Sequence, residues 1–356
     1  MKPKVLKQNV GADMSKDDFK VCFYQLSDNQ RQSIKGTRTF KNVKKDFKEF
    51  VKWVKKRQAS GLTIRITLEA TGVYYEQFVH FLHAQTDFRI SIVLPNVSKA
   101  YGKSLNLKSK TDKIDAKMLG KMGLERDLSE WKPLSDKIFI LKQLTRDRVS
   151  LLDEKTALSN KLHALNHSFQ PHKDAVKRLK SRIRLIEKQV REVEKQIAQT
   201  VKNDPILNER IEKICKVKGL GLITVAGIAA ETNGFTLFTS RAQITSYAGY
   251  DVVQRESGSS VKGKTRISKK GNRFIRRALH FPALVVVKYE PQFTQLFDRV
   301  LKRTGLKMKA YVAVQRKLLL LIYTLFKKNE AYDPDFAKKQ IVQKNCRQDA
   351  SPAYSG

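Results

Sequence analysis

Four acidic residues have the types and spacing that phosphodiester chemistry uses. Asp13 closes the apolar run Val10-Gly11-Ala12 and Glu69 closes Ile66-Thr67-Leu68. Carboxylates among strand-forming residues are costly to bury unless a metal or another cation pairs with them. Asp112 and Asp115, in Lys110-Thr111-Asp112-Lys113-Ile114-Asp115-Ala116, stand at i and i+3 on a predicted helix and so project from neighbouring positions. Two Mg²⁺ ions about 4 Å apart need shared and flanking carboxylates to activate an attacking oxygen and stabilise a leaving one. Any one of these acids could be a surface charge, and Asp112 could simply cap its helix. The set of four, at strand end, strand end and helix face, points to a Mg²⁺ site of two ions in which Mn²⁺ is an expected substitute.

Cations gather around a second group of motifs. Val217-Lys218-Gly219-Leu220-Gly221-Leu222 reads as helix, Gly-x-Gly turn, helix. Glycines let a backbone approach a phosphate, and the following helix offers its first amides. This is a helix-hairpin-helix candidate, with Lys218, Gly219 and Gly221 as its contacts; a plain Gly-capped turn is the alternative. Between Gly258 and Tyr289 there is no acidic residue, while Lys262, Lys264, Arg266, Lys269, Lys270, Arg273, Arg276 and Arg277 crowd into one loop and the start of a helix. Such density of one sign suits a phosphate backbone. Lys110 and Lys113 would serve the same purpose beside the acids. Just before the run lies Ser257, in Arg255-Glu256-Ser257-Gly258-Ser259-Ser260, a composition that by itself reads as a flexible loop.

The elements that must position these groups fall into four pieces. In 1–135, Gln8 to Met14, Phe19 to Leu26 and Gln32 to Phe40 read as a meander of three strands. Val43, Phe47, Phe50, Val51 and Val54 then recur at helical spacing, and Thr63 to Leu68 and Arg89 to Leu94 read as further strands, an α/β layer pattern. The segment 136–210 has heptad character: Val176, Leu179, Ile183, Ile186, Val190, Val193 and Ile197 alternate in threes and fours. Leu141, Leu144, Leu151, Leu158, Leu162, Leu165 and Phe169 follow the same rhythm, broken by Arg148 and Lys155. A turn near Gln170-Pro171 separates two long helices, which pair as an antiparallel hairpin or pack against another subunit; an oligomerising coiled-coil connector is expected. The piece 211–330 is mainly α-helical and glycine-punctuated, and 331–356 is a polar tail.

The chain has 356 residues, with 71 Lys and Arg against 34 Asp and Glu, a formal charge of +37. That excess repels itself unless a polyanion neutralises it, so nucleic acid is the expected partner. The longest apolar stretch, Leu318 to Phe326, falls far short of the roughly 20 residues a membrane span needs, and Met1-Lys2-Pro3-Lys4 leads into polar sequence, so a cytoplasmic, nucleoid-associated protein without a membrane partner is expected. Cys22, Cys215 and Cys346 lie far apart and form no Cys-x-x-Cys pair, which argues against disulfides and a zinc knuckle.

Gly11-Ala12-Asp13-Met14-Ser15-Lys16, Glu69-Ala70-Thr71-Gly72 and the segment from Lys110 to Ala116 resemble the DEDD signature of the IS110 family of insertion-sequence transposases, its IS1111 branch included. Ala12-Asp13-Met14 stands where that family more often shows Ile-Asp-Val. Tyr247-Ala248-Gly249, Ser257-Gly258, Ile267-Ser268-Lys269-Lys270-Gly271-Asn272 and Arg276-Arg277-Ala278-Leu279 resemble the family's C-terminal domain, with Tyr250 and Asp251-Val252-Val253 as departures. The resemblance runs from Asp13 to about Phe326. It implies an RNase H-like (RuvC-like) N-terminal domain in which Asp13, Glu69, Asp112 and Asp115 hold Mg²⁺. It also implies a nucleophilic Ser257, with Ser268 as runner-up, that forms a transient phosphoserine link. Dimers assembling to a tetramer, and a structured non-coding bridge RNA that pairs with donor and target DNA, are implied as well.

Other readings use the same residues. A junction nuclease would employ the four acids with water as nucleophile and make Ser257 dispensable. A structural nucleic-acid-binding protein would leave the placed acids without purpose. A tyrosine recombinase built from Arg273, Arg276, His280 and Tyr289 would crowd its whole active site onto one helix. His163 and His167, four apart, lack a nearby third metal ligand.

Overall fold

The computed structural model describes residues 3–335 apart from 71, 107–110, 237, 255, 258–260 and 264. The chain divides into two units, Met1–Pro133 and Leu134–Gly356.

In the first unit, β1 (Val5–Met14), β2 (Asp18–Ser27) and β3 (Gln32–Lys41) form an antiparallel meander. The β1–β2 turn is closed by the Ser15 amide and hydroxyl, which both donate to the Asp18 carbonyl. There follow α1 (Lys44–Lys55), β4 (Arg65–Glu69), α2 (Glu76–Gln85), β5 (Arg89–Val93), α3 (Pro95–Ser104) and α4 (Asp112–Glu125). The sheet order is β3-β2-β1-β4-β5, with β4 parallel to β1 and β5 parallel to β4. The expected order of three strands, helix, strand, helix, strand is present, in an α/β unit.

Side chains alternate across a strand, and β1 uses both faces. Val10, Ala12 and Met14, with Ile66 and Leu68 of β4, belong to an aromatic core with Phe47, Phe50 and Trp53 of α1 and Phe78 of α2. Phe19 sits at its centre, its ring 4.7 Å from that of Phe78 and 5.4 Å from that of Phe40. The opposite face of β1 carries Asn9, Gly11 and Asp13, and α4 lies on it. A Cβ on Gly11 would come within 2.1 Å of the Ala116 carbonyl and the Gly120 amide, and one on Gly123 within 2.2 Å of the Thr67 hydroxyl. Glycine inside a helix costs about 1 kcal/mol relative to alanine; here it lets helix backbone rest directly on strand backbone.

The second unit opens with α5 (Asp136–Asn166) and α6 (Lys173–Lys202), which pair as an antiparallel hairpin, one of the two arrangements the heptads allowed. Leu141 and Leu158 are buried on α5, and Ile186, Val193, Ile197 and Val201 on α6. Arg148 and Lys155, which break the heptad, pair across the hairpin with Glu194 at 2.7 Å and Glu187 at 2.9 Å. Helices α7 (Pro205–Cys215), α8 (Leu222–Glu231) and α9 (Arg241–Ala248) come next. A pair of short hairpin rungs follows: β6 (Val252–Val253) pairs with β9 (Arg266–Ile267), and β7 (Glu256–Ser257) with β8 (Val261–Lys262). Helices α10 (Arg273–Ala278), α11 (His280–Tyr289), α12 (Pro291–Thr304) and α13 (Lys307–Lys328) complete a helical core around Ile228, Phe235, Tyr250, Val314 and Ile322. Among the described residues no helix is long and apolar enough to cross a membrane.

Candidate active site

The acids of the first unit converge because of how α4 runs. Asn9 donates through its side-chain amide to the Gly120 carbonyl at 2.8 Å, and the Thr67 hydroxyl donates to the Asn9 side chain at 3.1 Å. Moving along β1 from Asn9 to Gly11 therefore means moving back along α4 from Gly123 towards Ala116. Two residues further on β1 comes Asp13, on the same face; on α4 Asp115 immediately precedes Ala116 and Asp112 lies about one turn before it. Ala12 and Leu68 are register partners, so Glu69, on the face of Thr67, closes β4 beside Asp13.

The electrostatics bear out the crowding. Burial, and then the carboxylates of Asp115, Asp112 and Glu69, push the Asp13 carboxyl up from 3.8 to about 6, opposed only in part by Lys20. Lys20 is the register partner of Asp13 on β2 and forms an ion pair with Asp112. That hydrogen bond raises the Lys20 ammonium above its ordinary range. The Ser98 hydroxyl of α3 donates to Glu69 and lies 3.1 Å from the Pro95 carbonyl. The N-cap of α4 is Thr111, whose hydroxyl accepts from the Ile114 amide at 3.3 Å, so Asp112 is not the cap and sits in the first turn with Asp115. Acids there are favoured by the partial positive charge of the helix end.

Among the described residues no three carboxylates, histidines or cysteines stand close enough to enclose a metal ion. The donor chemistry nonetheless fits a hard divalent cation: the groups are carboxylate oxygens, and both causes that lift Asp13, burial first and then repulsion by its neighbours, are ones a cation among them would offset. Lys113 is exposed beside this group; Lys110 lies outside the described residues. Asn9, Lys20 and Ser98 escaped the sequence reading. The β1 alternation put Asn9 on the face of Asp13, but nothing local linked Lys20 or Ser98 to acids far away in sequence.

In the second unit, Ser257 is the last residue of β7, opposite Val261, and Lys262 lies on β8. Lys264 falls outside the described residues, and Arg266 is exposed on β9. The basic loop after β9 is fastened to the end of α9. The Ser268 amide donates to the Asp251 carbonyl at 2.8 Å, the Lys269 amide to that of Gly249 at 3.1 Å, and the Asn272 amide to that of Tyr247 at 2.7 Å. A Cβ on Gly271 would lie 2.5 Å from the Gly249 amide, so only glycine permits this approach. The Ser268 hydroxyl donates to the Asp251 carboxylate at 2.8 Å. Lys269 and Lys270 remain exposed on the loop thus fixed.

The basic helix divides its labour. Arg276 donates to the Ala248 carbonyl at 2.7 Å and holds the loop, Arg277 pairs with Asp153 at 2.7 Å, and Arg273 is exposed with its guanidinium over Phe274. Beneath them is a residue the sequence did not reveal. Glu231, at the buried end of α8, takes two hydrogen bonds from Arg146 at 2.7 and 3.0 Å and one from the Asn272 side chain at 2.6 Å; its carbonyl accepts from the Tyr247 hydroxyl at 3.0 Å. One residue thereby ties α5, α8, α9 and the basic loop together, through its carboxylate to Arg146 and Asn272 and through its carbonyl to Tyr247. Lys218, Gly219 and Gly221 are exposed between α7 and α8, with Gly219 at a φ of 99° and Gly221 as N-cap of α8.

A family model described as a transposase, the DEDD transposase domain of IS110 elements, matches residues 10–171, and one described as "Transposase IS116/IS110/IS902 family" matches residues 211–298. The chain is 28% identical over 337 residues to the pilin gene-inverting protein of Moraxella bovis, covering 92% of this chain and 98% of that one; the Moraxella lacunata protein of the same name matches equally. An uncharacterized 42 kDa protein of insertion element IS900 from Mycobacterium paratuberculosis is 28% identical over 140 residues, 37% of this chain and 34% of its own. A DEDD transposase domain implies dependence on a divalent metal, and a transposase takes DNA as its substrate. With both family models in order along the chain and full-length similarity to the gene-inverting proteins, the chain belongs to the IS110 family of insertion-sequence transposases and is a DNA recombinase.

Proposed function

We propose that this recombinase cuts and rejoins DNA at specific sites through a serine-linked intermediate, with the four acids of an RNase H-like domain holding Mg²⁺ against the scissile phosphate. The observation that carries the reading is the gathering of three acids around the half-buried Asp13 carboxyl, which burial and then Asp115, Asp112 and Glu69 raise from the first turn of α4 and the end of β4. The sheet supports the RNase H-like assignment, since a three-stranded antiparallel meander is followed by two parallel strands in the order β3-β2-β1-β4-β5. A cation bound there would neutralise charge on the phosphate as it develops.

The chain's own groups do the rest. Asn9, Gly11, Gly120 and Gly123 fix α4 so that Asp112 and Asp115 face Asp13 and Glu69. Lys20 supplies a further positive charge. The Ser257 oxygen attacks phosphorus, the P–O bond to one sugar breaks, and that sugar leaves as a hydroxyl while its partner stays esterified to serine. The released hydroxyl of another strand then attacks the phosphoserine, restoring a phosphodiester and free serine. No bond energy is lost, so rejoining needs no nucleotide cofactor. Lys262, Lys264, Arg266, Lys269, Lys270, Arg273 and the Lys218–Gly221 turn, a helix-hairpin-helix, hold the backbone. Dimers assembling to a tetramer bring acids and serine together, and a bridge RNA selects donor and target by pairing. The similarity to pilin gene-inverting proteins supports recombination between defined sites.

The test is cleavage of supercoiled plasmid bearing the element's ends, with flanking RNA and Mg²⁺, by wild type, Ser257→Ala and Asp13→Ala. Wild type leaves protein covalently on a DNA end and both variants abolish that adduct. If Ser257→Ala still cuts while Asp13→Ala does not, the enzyme is a nuclease that uses water.

A further inference from the structure

We propose that the outer face of α11 is a binding platform for unpaired DNA bases, with Phe281 and Tyr289 as its two stacking surfaces. Phe281, Val285 and Tyr289 succeed one another at four-residue steps and are 72%, 37% and 60% exposed, in a domain whose other large apolar side chains are mostly buried. The two rings stand about 12 Å apart along the helix, at 1.5 Å per residue. His280 sets its ring edge-on to Phe281 at 5.3 Å.

The surroundings say what such a face would take. The four-residue step continues upstream through Arg277, which is paired with Asp153, to the exposed Arg273, and Lys288 is exposed next to Tyr289. The Gly219 turn abuts the middle of the stripe, since a Cβ on Gly219 would lie 3.1 Å from the Val285 Cβ, and it carries the exposed Lys218. The one acid beside Arg277, Asp153, is spent on its ion pair, and Glu290 is buried. Protein–protein contacts are depleted of charge at their centre, whereas here cations flank the two rings: Arg273 upstream, Lys218 beside the middle of the stripe and Lys288 next to Tyr289. That pattern fits single-stranded nucleic acid: bases stack on the rings and phosphates meet the Arg and Lys side chains. A paired duplex offers base edges and phosphates but no free base faces. DNA is the source because strand cleavage by a recombinase leaves unpaired bases at the cut, and to that extent the platform rests on the proposed function.

The experiment measures binding of a short DNA strand carrying 2-aminopurine, its duplex, and an RNA strand of the same sequence. The proteins are wild type, Phe281→Ala/Tyr289→Ala and Phe281→Trp/Tyr289→Phe. Both positions are exposed, so equal melting temperatures will show that the fold is kept. Wild type should quench the 2-aminopurine of the single DNA strand. The alanine pair should lose that quenching and weaken single-strand affinity by on the order of tenfold or more, with duplex affinity within about twofold, and the aromatic pair should restore both. Equal loss on strand and duplex, loss confined to RNA, absence of quenching in wild type, or a change only in oligomeric state, which would mark a contact with a second copy, would each overturn the platform. The Ser257→Ala adduct assay is untouched by these substitutions, so failure of the cleavage chemistry and failure of the platform give separate results.

Discussion

At the scale of single residues, the sign of the Asp13 shift yields a prediction that needs neither DNA nor cleavage. A carboxyl held near 6 in the folded chain and near 3.8 unfolded contributes its stability fully below the unfolded value and loses it as pH rises through the folded one. Without metal, the ionised site therefore strains the fold at pH 8. Asp13→Asn should stabilise the metal-free protein there by up to about 3 kcal/mol, the worth of about two pKa units, and the gain should vanish near pH 4. Thermal melts across that range in chelator check it. A variant no more stable than wild type at pH 8 would mean that neither burial nor the neighbouring acids lift the Asp13 carboxyl. Adding divalent cation should reverse the order, because wild type then gains a ligand that the asparagine variant holds poorly. Glu231 answers a different need. It is buried, yet it is surrounded by donors, and it anchors the loop from which Lys269 and Lys270 reach outward.

Among the elements, α4 decides whether the acids meet. Strand and helix backbones touch at Gly11 and Gly120, Gly123 rests on the Asn9 and Thr67 side chains, and a methyl group at position 11 has backbone 2.1 Å away, with no flexible side chain to yield. Gly11→Ala should cost more than about 2 kcal/mol, in the upper range for overpacking. It should also weaken cation binding in whatever fraction stays folded, because α4 carries Asp112 and Asp115 with it. Denaturant unfolding and a Mn²⁺ titration measure the two effects; a variant with wild-type stability would refute the close approach. Much at this scale was legible beforehand. The meander, the α1 periodicity and the parallel strands follow from apolar alternation, and the heptads named both hairpin helices. Arg148 and Lys155 looked like breaks in the pattern because their partners, Glu194 and Glu187, lie on the other helix. The rungs β6 to β9 were not legible: two-residue strands leave no alternation to read, and the β6–β9 pair adjoins a close approach of Gly249 and Gly271 that only the tertiary fold creates. The Lys20–Asp112 pair and the Glu231 cluster were hidden for the same reason, since each joins residues that only the tertiary fold makes neighbours.

For the whole molecule, a formal charge of +37 is too large to be incidental, and the fold shows how it is organised. Acids are used up in pairs: Glu194 and Glu187 within the hairpin, Glu231 beneath the basic loop, Asp153 on Arg277. The cations left over from this pairing, among them Lys218, Arg266, Lys269, Lys270 and Arg273, are exposed. A polyelectrolyte contact made by such residues is driven by release of counterions from DNA, so its affinity falls with salt by a slope of about −0.9 per phosphate neutralised. Lys269→Ala/Lys270→Ala should therefore lower duplex affinity at every sequence tested and reduce the salt slope by about 2. Arg276→Ala should act differently. Its guanidinium is committed to the Ala248 carbonyl, so its loss should loosen the loop and lower the melting temperature while changing the slope little. Binding isotherms at four salt concentrations, paired with melts of the same proteins, separate the two. If Arg276→Ala shifts the slope as far as the double lysine variant without a change in melting, the arginine faces DNA and not the loop, and the division of labour along α10 is wrong.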